Sequence, residues 1–152
     1  MARIPIALQL YSVREDCAND LPGTLKAVAD MGYEGVEFAG YHDRSADELR
    51  QMCDELKLAS VGTHTGIDTL LGDQLEETVK FNRTLGHKYL IVPGLAEEYR
   101  ATPDAWRQTA ATFNDIAAKA AALDAQVGYH NHRIEFEDLD GEIPWDIFCG
   151  GT

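Results

Sequence analysis

The chain has 152 residues, 45% of them apolar and 26% charged, which is enough for one globular domain with a hydrophobic core and unlike a disordered segment. Thirteen Lys and Arg against 26 Asp and Glu give a net charge of -13, a field that repels nucleic-acid phosphates and anionic membranes, so neither is expected as a partner. The apolar run from Ile4 to Leu10 is too short to span a bilayer and lacks a small-residue cleavage site. Cys17, Cys53 and Cys149 are odd in number and without CxxC spacing, so disulfides and thiolate metal sites are not expected and a cytoplasmic location is.

In chain order, the first predicted strand runs from Ile4 to Tyr11. A helix follows with Leu21, Leu25, Val28 and Met31 on one face and Gly32 where a C-terminal cap belongs. The second strand is Gly35 to Phe38. The next helix opens with Ser45 and Glu48 as a capping box and carries Leu49, Met52, Cys53 and Leu56 along one stripe. Leu58 to Thr65 is the third strand, and the helix after it, with Leu75 and Val79 inward, ends at Gly86. The fourth strand, Lys88 to Pro93, leads to a helix capped by Thr102 with Pro103 at its first position, running through Trp106, Phe113, Ile116 and Leu123. Gln126 to His132 is the fifth strand, and PWDIFCGGT opens another helix.

Strand, helix, strand without exception is the signature of parallel βα units, which build either a doubly wound sheet or part of an eight-fold barrel. No Gly-rich phosphate fingerprint follows the first strand, and polar residues gather near the carboxyl ends of several strands, so the barrel is preferred. The expected fold is therefore α/β, a single domain over residues 1–152 made of the parallel units of a TIM barrel that stops after about five strands.

Side-chain alternation sorts each strand onto two faces. Ile6, Leu8 and Leu10 oppose Ala7, Gln9 and Tyr11; Val36 and Phe38 oppose Gly35 and Glu37; Val61 opposes Ser60, Gly62 and His64; Val127 and Tyr129 oppose Gly128, His130 and His132. Gln9, Tyr11, Glu37, His64, His130 and His132 should therefore converge on one pocket. The segment from Gly128 to Glu137 is the richest in chemistry, because two imidazoles of one parity precede the carboxylates of Glu135 and Glu137, a mixture that divalent metals accept. Glu135 has the other parity and joins the histidines only if the strand bends or ends after His132.

QLYSVR, GYEGVEFAG, VGTHTG, YLIVPG and YHNHRIEFE, in that order, resemble the sugar phosphate isomerase/epimerase family of the xylose-isomerase-like barrels, with QLYSVR and HNHRIEF the most specific pieces. The resemblance covers essentially the whole chain and implies the front portion of a (β/α)8 barrel. Such a barrel holds one divalent metal, Mn, Mg, Co or Zn, with ligands from its last four strands, and moves a proton next to a sugar carbonyl. It implies Glu135 as a metal ligand and catalytic carboxylate, with Glu137 as the alternative, and Tyr11, Glu37, His64, His130 and His132 as groups that hold a sugar or sugar phosphate. The strands for the remaining ligands are missing from this chain, so tight metal binding is not expected of it. Two other readings are a non-catalytic half-barrel that folds and self-associates through its sheet edges, and a keto-sugar dehydratase.

Overall fold

The structure, a computed structural model, describes residues 3–152. Five parallel strands, β1 (Ala7–Gln9), β2 (Gly35–Ala39), β3 (Ala59–His64), β4 (Tyr89–Val92) and β5 (Gln126–Tyr129), lie in sequence order in one sheet. Helices α1 (Arg14–Asn19), α2 (Leu21–Asp30), α3 (Ala46–Leu56), α4 (Gln74–Leu85), α5 (Pro103–Ala122) and α6 (Pro144–Gly151) alternate with them. Neighbouring strands pair in parallel and in chain order, as in a winding barrel. Among the described residues β1 and β5 each have one partner strand and one free edge.

The helix boundaries follow the local chemistry. Ser45 and Glu48 form the reciprocal capping box, Thr102 accepts from the Ala105 amide, and Gly86 takes the left-handed conformation that ends α4. Met31 departs from the expectation: it is the C-cap of α2 rather than part of its inner stripe, and 74% of it is exposed. The short helix α1 was not signalled by any periodicity.

The apolar strand face meets the helices in two core clusters. One holds Leu10, Leu25, Val36, Phe38 and Leu49 under α2 and α3, and the other holds Leu90, Val92, Trp106, Phe113 and Phe148 under α5 and α6. Strand β3 deviates from simple alternation. Its pairing with β2 slips between Val36 and Glu37, skipping Val61, so a β-bulge exchanges two expected positions. Ser60 turns to the helix side beside Cys53 and Leu85, while Val61 joins the opposite face, with Cγ1 3.1 Å from where a Gly35 Cβ would lie. Gly35 is required there, because a Cβ would also sit 2.7 Å from the Ala59 carbonyl oxygen.

Candidate functional site

The sheet face away from the helices carries Ala7, Gly35, Val61 and Tyr89 toward the amino ends of the strands and is polar toward the carboxyl ends. At the carboxyl ends, Gln9, Tyr11, Ser12, His64, His130 and His132, with Ala39, Pro93 and Gly94, line one cavity of about 620 Å³. His64 and His132 thus face the same mouth, as strand parity predicts and as a barrel requires.

The residues reach it by different routes. Strand β1 ends at Gln9, and Tyr11 lies in a 3-10 turn, Leu10–Val13, rather than on a strand; the residue is 58% exposed, with the Arg14 guanidinium 4.6 Å from the ring centre. The Gln9 side chain forms the turn, accepting from the Tyr11 amide through Oε1 while Nε2 donates to Glu37 Oε1 at 3.1 Å. Glu37 Oε1 is also 3.2 Å from His64 Nε2, though the angle falls short of a good hydrogen bond. Burial lowers the pKa of His64, the Glu37 carboxylate partly opposes this, and the imidazoles of His130 and His132 add to the lowering, so the neutral form is favoured. Gly62 leaves room for this arrangement, since a Cβ there would meet the Glu37 carboxylate at 3.2 Å.

Strand β5 is shorter than predicted. It ends at Tyr129, although the His130 amide continues the ladder by donating to the Val92 carbonyl at 3.0 Å, and His132 lies in the following loop. The three imidazoles still form a row, with ring centres 5.1 Å apart for His64 and His130 and 4.9 Å for His130 and His132. Pro93 and Gly94 also line the mouth without being among the expected site residues; the signal is the VPG ending of the fourth strand, where the chain leaves the sheet.

Glu135 is placed elsewhere. It lies in a 3-10 turn, Ile134–Phe136, is 1% exposed and does not line the cavity. The Tyr129 hydroxyl donates to its Oε1 at 2.5 Å and the His132 amide to its Oε2 at 2.7 Å. Tyr129 points to the helix side, among Trp106, Phe113 and Phe148, and its pKa is raised by burial and then by the Glu135 carboxylate. Glu137 is paired with Arg133 at 3.1 Å and is also away from this cavity.

The donor set does not fit a divalent ion. Both Glu135 oxygens are taken by protein donors, and among the described residues no three His, Cys, Asp or Glu side chains are arranged to hold a metal. No helix among the described residues is long and apolar enough to cross a membrane.

No protein-family model and no curated protein matches the chain. Solved structures do. A sugar phosphate isomerase/epimerase from Parabacteroides distasonis ATCC 8503 is 20% identical with a TM-score of 0.82, over 100% of this chain and 63% of that one. A second from the same organism is 25% identical with a TM-score of 0.82, over 97% of this chain and 65% of that one. A xylose isomerase domain containing protein from Salmonella typhimurium is 14% identical with a TM-score of 0.59, over 82% of this chain and 48% of that one. This chain therefore spans 63% and 65% of the length of the two isomerase/epimerases, and its fold is a partial α/β barrel.

Proposed function

We propose that this chain is the sugar-binding front of an isomerase/epimerase barrel that moves a proton at the carbon next to a sugar carbonyl. The observation that carries the reading is the convergence of Gln9, His64, His130 and His132 on one cavity at the carboxyl ends of the strands, with Glu37 behind them. A sugar needs many donors and acceptors around a wet pocket, and imidazoles, a tyrosine hydroxyl and an amide provide both kinds. Tyr11, His130 and His132 hold hydroxyls in this reading.

Glu37 and His64 form the proton-handling pair. A neutral imidazole accepts a proton, and a carboxylate oxygen 3.2 Å away stabilises the imidazolium that results. Gln9 fixes the carboxylate through its amide, so the pair is oriented before substrate arrives. Glu135 supports the loop that carries His132 and takes no part in proton transfer.

A second reading, a half-barrel that binds or associates without catalysis, is favoured by two free sheet edges and by the exposure of Ile6 (57%), Val61 (39%) and Tyr89 (45%). Saturation-transfer NMR of the 152-residue chain with ketoses and ketose phosphates tests sugar binding, and deuterium uptake from D2O at the carbon next to the carbonyl tests the chemistry. Transfer lost in His64→Ala supports the sugar site. Binding without deuterium uptake favours the second reading, and no transfer to any sugar refutes both the site and its chemistry.

A further inference from the structure

A second cavity, of about 310 Å³, adjoins the first and shares His64 with it. Its other walls include Tyr41, Thr65, Thr69, Glu77 and Phe81. We infer that this is a second sugar subsite, and that the molecule bound across His64 is a glycosylated sugar, with its carbonyl-bearing unit in the larger chamber and an uncharged second ring against Tyr41 and Phe81. The inference rests on the sugar-binding reading above and extends it to the substrate class.

Three features support it. The first is an aromatic wall built before any ligand arrives: the Tyr41 and Phe81 rings lie 4.2 Å apart at 39°. The Tyr41 hydroxyl donates to Asn82 Oδ1 at 3.0 Å, and Asn82, 1% exposed, is held in turn by donating from Nδ2 to the Thr78 carbonyl at 2.8 Å. A buried amide spent on aiming one tyrosine keeps that ring from rotating, and the C–H face of a sugar ring packs on such a surface. The second is charge. Glu77 is exposed, has no ion-pair partner among the described residues, and lines the chamber together with Thr65 and Thr69. No Lys or Arg lines either chamber, so a phosphate would meet a carboxylate and no cation in the second one, whereas hydroxyl groups would donate to Glu77. The third is continuity: one imidazole forms part of both walls, so the two chambers meet at His64 and a ligand that spans them would lie against that ring. Pockets that hold small molecules run from about 300 Å³ upward, so the second chamber is large enough for a ring of its own.

The test compares fructose with maltulose, a disaccharide that keeps a free keto group, by saturation-transfer NMR titration of the 152-residue chain. Maltulose is expected to bind roughly tenfold tighter than fructose, equivalent to about 1.4 kcal/mol. Glu77→Gln and, separately, Phe81→Leu should each remove most of that preference and leave fructose binding unchanged. Glu77 is exposed, so its variant tests the subsite without risk to the core. If fructose binds and maltulose binds no better, or if the preference survives both substitutions, the second subsite is refuted while the sugar-binding reading stands. If neither sugar gives transfer, the sugar-binding reading itself has failed and the subsite with it.

Discussion

Replacing Glu135 by Gln should unfold the protein more easily rather than simply remove a reactive carboxylate. Both carboxylate oxygens accept a hydrogen bond in a place that is 1% exposed, one from the Tyr129 hydroxyl and one from the His132 amide. An amide of the same shape has one acceptor oxygen, so its NH2 group must face one of those two donors. With the Gln oxygen on the His132 amide, its NH2 group donates to the Tyr129 oxygen, the buried phenol proton is left without an acceptor, and both bonds lose their ionic partner, which together cost about 2–4 kcal/mol. With a urea slope of roughly 1–3 kcal/mol/M, the unfolding midpoint should fall by roughly 1 M or more at unchanged slope. Tyr129→Phe removes one of the two donors, so the double variant should lose less than the sum of the singles, with a coupling of about 1–2 kcal/mol. The His132 amide resonance should move in Glu135→Gln and stay in place in Tyr129→Phe. A Gln variant as stable as the parent, with the His132 resonance unmoved, would show that the carboxylate is not the latch described here.

His87 provides a pH test. Its Nε2 pairs with the Thr63 hydroxyl at 3.0 Å, Nδ1 has no well-aligned partner, and burial holds its pKa down to about 4, with the Tyr89 backbone opposing only in part. The unfolded chain takes up the proton near pH 6.5, so this contribution is complete above that pH, is lost as the pH falls toward 4, and amounts to about 3 kcal/mol. Unfolding curves of the parent and His87→Gln between pH 7 and 4 should show that extra loss in the parent alone; parallel pH profiles would rule it out. Gly35→Ala should destabilise by about 1–3 kcal/mol, because the added Cβ meets the rigid Ala59 carbonyl, and a neutral effect on the thermal midpoint would contradict the close approach of β2 and β3. The free edges of β1 and β5 and the exposed Ile6, Val61 and Tyr89 should make the chain self-associate at micromolar concentration, which a strictly monomeric sedimentation profile would disprove.

Much of the architecture was legible from residues acting on their near neighbours. Ser45 with Glu48, Thr102 with Pro103, and Gly86 each satisfy backbone groups within one helical turn, so those helix ends need no tertiary partner. Alternation likewise placed Gln9, Glu37 and His64 on one face, because side-chain direction in a strand is a local property. What the tertiary structure alone decided lies where neighbouring strands and loops compete for the same backbone. The skipped residue in β3 exchanges Ser60 and Val61 because pairing with β2 depends on the partner strand, about which a period of two carries no information. Strand β5 ends at Tyr129 rather than His132, and Glu135 is turned into the core by a hydroxyl and an amide brought to it by the fold. Carboxylates that are identical in sequence thus part company. Glu37 stays half-buried beside the cavity because its strand holds it there, and Glu135 is enclosed because two donors inside the protein offer it a better partner than water.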